Sequence, residues 1–277
     1  MSLARLFRRR AELPFAEWGW KVRSFDLPGE GRVQFAQWLH PATATTTIVQ
    51  DEVDALRQWI RPGDFAIDVG AHTGDTTVPM ALAAGRQGCV LALEPNRYAF
   101  AVLAANARLN TDVTQIKAVC CAATQQDGNF EFLYGDASFC NGGAAIGRWN
   151  PFRKKYPLPV TGRNLLTMLR KEYAAWVRRL AYVKVDAEGH DLSILRSILP
   201  VITERRPVVR TEVFKKLSKA DRQAMHAFFT SAGYDVYRYA ERGEPQGDAI
   251  SPQGMCAARH FDILAMPRRK DAKRRAA

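Results

Sequence analysis

Between residues 184 and 191 the chain reads KVDAEGHD, which places Lys184, Asp186, Glu188, His190 and Asp191 at and just beyond the end of a short β-branched run. Carboxylates and an imidazole at alternate positions suit proton abstraction, which requires a base within about 3 Å of the hydroxyl that loses its proton. Asp186 is the first candidate for that base, with Glu188 and His190 behind it. His190 has a second reading, as the solvated first residue of the following helix. Charge inside a strand covered on both faces is costly unless it is paired, hydrated or met by a ligand. Lys184 and Asp186 share one strand face, and VVRTEV at 208–213 repeats the anomaly with Arg210 and Glu212 on one face. A shared polar network is therefore expected. It is either purely structural, for example a Lys184–Glu212 ion pair, or one that also positions a substrate.

A second cluster is DVGAHTGD at 68–75, where Asp68 closes a strand and Gly70 and Gly74 flank a turn into a helix. Glycine permits positive φ and close backbone approach to a ligand. A nicotinamide dinucleotide would want a glycine at the position held here by His72, whose ring would crowd the pyrophosphate. A phosphate-cradling loop would need Gly-Lys-Ser/Thr, which is absent. S-Adenosylmethionine, which has no phosphate, is the favoured occupant, with a dinucleotide and a purely structural turn as the alternatives. Glu94 lies 20 residues beyond Gly74 at the end of the next strand, where a carboxylate accepts hydrogen bonds from two ribose hydroxyls. Asp68 has an alternative role as a cap on the turn through backbone amides.

These residues need a scaffold with strand ends in a row. From about residue 64, short β-branched runs alternate with segments of helical period, which predicts a parallel sheet covered by helices. Strands are expected at Phe65–Val69, Cys89–Glu94, Val113–Val119, Tyr182–Asp186 and Val208–Val213, with closing strands at Tyr234–Tyr239 and Phe261–Ala265. Helices are expected at Thr76–Ala84, Tyr98–Leu109, Ala220–Ala232, and at Leu192–Leu199 with Pro200 stopping it. Asp68, Glu94, Asp186 and Glu212 would then converge at the carboxyl ends of the strands. Residues 1–49 read as an N-terminal arm, 50–266 as the domain, and 267–277 as a basic tail. Gly128–Tyr134 reads as an added strand, and 135–160, rich in Gly, Pro and aromatics, as a loop insertion covering the substrate.

Composition bounds the function classes. A chain of 277 residues with 47% hydrophobic content can bury a sizeable core, and its net charge is +12. Residues 1–10 contribute +4 and 268–277 contribute +5, leaving only +3 on the body. Nucleic-acid binding is correspondingly disfavoured. Short basic ends read as solvated, or as a weak contact with an anionic membrane or partner through Leu3, Leu6 and Phe7. No apolar run approaches the roughly 18 residues needed to span a bilayer, and a cytoplasmic chain is expected. Five cysteines without a CxxC pair read as reduced thiols rather than disulfides or a zinc cluster. No metal is called for by the carboxylate spacing, though an ion bridging Asp186 and Glu188 is left open.

DVGAHTG, LEPN, KVDAEGHDLSIL, RPVVRTEVF and HFDILAMP together resemble the FkbM family of S-adenosylmethionine-dependent methyltransferases, over roughly residues 50–266. The resemblance implies an α/β class I methyltransferase (Rossmann-like) fold: a mostly parallel seven-stranded sheet, its final strand antiparallel, with helices on both faces. It implies methyl transfer to a hydroxyl of a sugar, glycan or polyketide-like small molecule. Positions matching the family's motifs are Asp68, Gly70 and Gly74 at the cofactor's amino-acid end, Glu94 at the ribose, and Asp186 and Glu188 beside the transfer site; His72, Thr73 and Asn96 join the candidate cofactor set, and Lys184 and His190 the candidate catalytic set, as their neighbours in this sequence. His72 and Thr73 depart from the Asn and small aliphatic residue frequent in the family, and Asp191 from Glu. Glu212, Arg148 and Trp149 are assigned to the acceptor. The last two lie in RWNPFRKKY at 148–156, whose basic and aromatic residues suit a sugar ring and an anionic group. The same composition suits single-stranded RNA, so an RNA-binding protein or RNA methyltransferase is the alternative.

Overall fold

The computed structural model describes residues 15–134, 137–140, 144–145, 156–240 and 246–268. A hairpin of β1 (Trp20–Leu27) and β2 (Gly31–Trp38) precedes α1 (Gln50–Leu56). The first βαβ run follows as β3 (Phe65–Val69), α2 (Thr77–Ala84), β4 (Cys89–Leu93), α3 (Arg97–Asn106) and β5 (Ile116–Val119). Four strands come next: β6 (Ala122–Thr124), β7 (Gly128–Tyr134), β8 (Ala144–Ala145) and β9 (Tyr156–Asn164). The second half comprises α4 (Leu165–Lys171), α5 (Ala174–Val177), β10 (Leu180–Val185), α6 (Asp191–Ser197), α7 (Leu199–Arg205) and β11 (Val208–Val213). It closes with α8 (Lys219–Ser231), β12 (Tyr234–Tyr239), β13 (Gln246–Ala249) and β14 (Phe261–Pro267).

The main sheet has the order β13-β12-β14-β11-β10-β3-β4-β5. β14 runs antiparallel between β11 and β12, while β11, β10, β3, β4 and β5 are mutually parallel. This is the class I methyltransferase arrangement. The sheet has eight strands instead of the expected seven, because β13 pairs antiparallel outside β12. The chain leaves β3 toward β5 and returns to β10 on the other side of β3, so a crevice opens at the carboxyl ends of β3 and β10.

Period two divides the core. Phe65, Ile67 and Val69 of β3 and Val183 and Val185 of β10 pack on one face with the α4 residues Leu165, Met168 and Leu169. Ala66 and Tyr182 point to the other face, with Val53 of α1 and Met80 of α2. Lys184 shares Tyr182's side and lies beside Asp68 in register, so the charged positions occupy the end of an otherwise apolar face.

Within the N-terminal arm the hairpin is held by two asparagines, one at the end of α3 and one just beyond it. Asn106 bonds both the amide and the carbonyl of Ala36 (2.7 and 3.1 Å), and Asn110 does the same for Gln34 (2.8 and 2.8 Å). Two expectations are corrected. Residues 156–160 belong to β9, part of a second sheet of order β6-β9-β7-β8, rather than to a loop. Pro157 and Pro159 argued against a strand, but they sit where β9 extends beyond β6 and its outer side is an edge. Pro200, expected to stop a helix, lies in the first turn of α7, where its missing N–H has no helical partner to lose.

Candidate active site

The turn between β3 and α2 is shaped by three residues at positive φ: Gly70 (77°), His72 (47°) and Gly74 (95°). A side chain at Gly70 would put its Cβ 1.9 Å from the Asp186 carbonyl oxygen, so glycine is what lets the turn pass against the end of β10. The amide of Asp186 donates to the Val69 carbonyl at 3.0 Å, and the amides of Gly70 and Ala71 donate to Leu93 at 2.9 and 3.0 Å. The turn is thereby strapped to β4 and β10 together. Asp68 is fully buried beneath it and accepts from the Thr76 and Thr77 hydroxyls (3.0 and 2.7 Å). It holds the helix entry through hydroxyls, where the sequence suggested amides. Thr73 is buried and its carbonyl accepts from Asn106 at 2.8 Å, linking the turn to the hairpin.

Glu94 follows β4 with both oxygens engaged by backbone: the His72 amide donates to Oε2 and the Asn96 amide to Oε1, each at 2.8 Å. Burial raises its pKa, while the His72 charge and these two amides oppose the rise. His72 Nε2 lies 3.1 Å from the Cys140 carbonyl and its ring packs against Trp38. Burial works against its charged form, but the contacts with Cys140 and the carboxylates of Glu94 and Asp75 outweigh it, pushing the imidazole up to about 9. Asn96 caps α3 by accepting from the Tyr98 amide (3.0 Å) and donates to the Phe139 carbonyl at 2.6 Å.

Lys184 is buried between Asp68 (3.4 Å) and Asp186 (3.6 Å). Burial disfavours its charge, yet these two carboxylates more than compensate and its pKa rises. The Lys184–Glu212 pairing considered from sequence does not form. Instead Glu212 Oε1 meets His260 Nδ1 at 3.1 Å, and its buried Oε2 has no hydrogen-bond partner among the described residues. Burial first, and then the charges of Asp186, Asp191 and Glu188, push Glu212 up to about 8. Arg210, on the same strand face, pairs with Asp262 at 2.7 Å.

The loop after β10 is held by Asp191, which accepts from the amides of Ala187 (3.2 Å) and Gly189 (3.0 Å) and from the Thr211 hydroxyl (3.2 Å). That grip keeps Glu188 at φ 51°, a conformation uncommon for a residue with a side chain. Burial, then the neighbouring Asp186 charge, raises the Glu188 pKa against the opposing pull of Lys215, Lys216 and His260. His190 is exposed and makes no side-chain capping bond to α6.

A cavity of about 460 Å³ lies between this sheet edge and the second sheet. Gly70, His72, Glu94 and Asn96 line one part of it, and Asp186, Glu188 and His190 another. Asp68, Thr73, Gly74, Lys184 and Glu212 stand behind the lining as supports. Arg148 and Trp149 lie outside the described residues. Sequence reasoning missed the wall contributed by Phe130, Phe132 and Tyr134 of β7, and Cys121 beyond β5. The alternating F-x-F-x-Y pattern was the signal for the first three. Among the described residues no group of three His, Cys, Asp or Glu side chains is arranged to hold a metal ion, and no helix is long and apolar enough to cross a membrane.

A family profile described as the methyltransferase FkbM domain matches residues 68–236. Among solved structures, the chain is similar to the methyltransferase FkbM from Methylobacillus flagellatus KT at 15% identity, covering 78% of this chain and 51% of that one, with a TM-score of 0.46. The chain thus spans about half the length of that protein. It is also similar to cofactor-bound Rv0187 from MTB (15% identity, 82% and 83% coverage, TM-score 0.43). A third likeness is to a SAM-dependent methyltransferase from Aquifex aeolicus (11% identity, 78% and 89% coverage, TM-score 0.39). No curated protein matches the sequence significantly.

Proposed function

The chain belongs to the FkbM methyltransferase family, and on that premise we propose that it methylates a hydroxyl of a sugar, glycan or polyketide-like small molecule with S-adenosylmethionine as donor. The observation that carries this reading is the cavity itself, which a ribose-type carboxylate and candidate proton acceptors line together. Its volume falls within the range of small-molecule sites. Glu94, fixed by two backbone amides, would receive the ribose hydroxyls, and Gly70 and His72 the amino-acid end, while Leu93, Cys121 and Ala122 offer an apolar surface for the purine. When bound, S-adenosylmethionine supplies a methyl group activated by a sulfonium centre.

The chain's own part is to align the acceptor, exclude water and take the hydroxyl proton. Asp186 is tied to Lys184, whereas Glu188 has no hydrogen-bond partner among the described residues and holds its proton more tightly than an ordinary glutamate. Those differences favour Glu188 as the base, with Asp186 fixing Lys184 and shaping the loop. His190, on the rim, is the remaining candidate. Calorimetric titration with S-adenosylmethionine, followed by transfer of a labelled methyl group to acceptor hydroxyls, tests the reading. Binding accompanied by alkali-stable ether products supports it. No binding, or products methylated only on nitrogen, sinks it.

A further inference from the structure

The second sheet shows what kind of acceptor the cavity is built for. Phe130, Phe132 and Tyr134 alternate along β7, so all three rings leave the same strand face, and all three line the cavity. Tyr134 is buried and meets Phe139 edge to face, whereas Phe130 keeps 38% of its surface exposed. A large aromatic side chain left bare inside a concave site is an unfilled contact surface.

Its support is specific. Across the strands Gly128 faces Gly162, and a Cβ added to Gly162 would lie 2.3 Å from the Phe130 ring. The ring therefore rests against bare backbone of β9, and a side chain at 162 would displace it. The candidate proton acceptors Glu188 and His190 line the same cavity, as does Gln125, which follows β6 and whose side-chain amide reaches the Ser193 hydroxyl at 3.2 Å.

The electrostatics narrow the choice. Glu94, Asp186 and Glu188 line the cavity; the His72 imidazole is paired with the Glu94 end, and among the described lining residues there is no lysine or arginine. Lys215 and Lys216, which oppose the charge of Glu188, stand outside the lining over the Phe214 ring. A phosphate or carboxylate placed beside Asp186 and Glu188 would meet like charge.

Resting on the O-methyltransferase reading above, we infer that Phe130 is a specificity-determining platform on which an uncharged ring of the acceptor, a sugar face or an aromatic ring, stacks so that its hydroxyl points to Glu188. Chemically the step balances within that reading: the acceptor oxygen gains the methyl group, the sulfonium becomes a neutral thioether, and the proton goes to the carboxylate.

The test uses the full-length chain, S-adenosylmethionine labelled in its methyl group and a small-molecule extract of the source cells, separated afterwards by anion exchange. Label is expected in the uncharged pool. It should fall at least about tenfold with Phe130→Ala and stay within about threefold with Phe130→Trp, while cofactor affinity and melting temperature are unchanged in both. Label retained on the anion exchanger, or a Phe130→Ala rate within threefold of the parent, overturns the inference and leaves the O-methyltransferase reading standing. Weakened cofactor binding in Phe130→Ala would assign the ring to the purine and equally overturn it. No label in either pool, with cofactor bound, overturns both. Within the uncharged pool, glycosidase sensitivity of the labelled product separates a sugar from an aromatic acceptor.

Discussion

The two walls of the cavity are made differently. On the main-sheet side the acids are placed by contacts from behind: Glu94 by two amides, Asp186 by Lys184, and the loop that carries Glu188 by Asp191. On the second-sheet side the contacts are rings on alternate positions of one strand, supported by apolar packing and a glycine. The first wall is preorganised to meet charge and hydroxyls in fixed places, which is where electrostatic catalysis gains most. The second offers area and shape. A recurring chemistry on the first and an adaptable acceptor on the second follow from that division.

If the division is right, damage to the first wall should affect chemistry or cofactor and leave acceptor choice alone. Glu188→Gln is expected to lower kcat by about 10²- to 10⁴-fold with cofactor affinity within about threefold, because a positioned base contributes on that scale. Asp186→Asn should cost less. The reverse order in single-turnover rates would return the base to Asp186.

Lys184→Met removes the cation from between two carboxylates and leaves Asp68 buried with only hydroxyl partners. Breaking a buried pair from one side costs about 3–5 kcal/mol, or a melting temperature lower by about 10 °C. Adding Asp68→Asn should recover part of the loss, since the stranded charge is then gone. A purely catalytic lysine would show lost activity at unchanged melting temperature. Smaller again is Glu94→Ala, which takes away a carboxylate able to accept two hydroxyl bonds. The S-adenosylmethionine Kd should rise about 10- to 100-fold by calorimetry.

The unequal legibility of the two walls has the same physical origin. Strand-end acids and turn glycines are written locally: Asp68, Gly70 and Glu94 betray themselves by residue type and spacing, because burying them without a function or a partner is expensive. The parallel core was readable from the alternation of strand and helix periods, and the antiparallel last strand only through the family resemblance. Which acid pairs with which cation was not. Lys184 reaches Asp68 and not Glu212 because β3 and β10 are in register at those residues, a fact of strand order that spacing along the chain does not contain. The second sheet was hidden more deeply, since β9 carries two prolines and pairs with β7 across a long connection. Aromatic alternation in β7 announced a strand but not what its face would cover.

Glu212 sharpens the comparison at its least settled point, a carboxylate on the main-sheet side that is not fully gripped. One oxygen meets His260, the other has no hydrogen-bond partner among the described residues, and Asp186, Glu188, Asp191 and Asp262 surround it. Its proton is held up to about pH 8 in the folded state, against an ordinary value of 4.5. Between those values the folded chain binds more protons at this site than the unfolded chain, so stability falls as pH rises through that window. The contribution is fully present below about 4.5 and is lost above about 8. Glu212→Gln, isosteric and uncharged, should match the parent's melting temperature near pH 5 and exceed it by about 3–5 °C near pH 9, where the parent must bury a charge. A melting-temperature difference that stays constant across that range would mean Glu212 is ionised throughout, and that the carboxylate is paired as firmly as the rest of its wall.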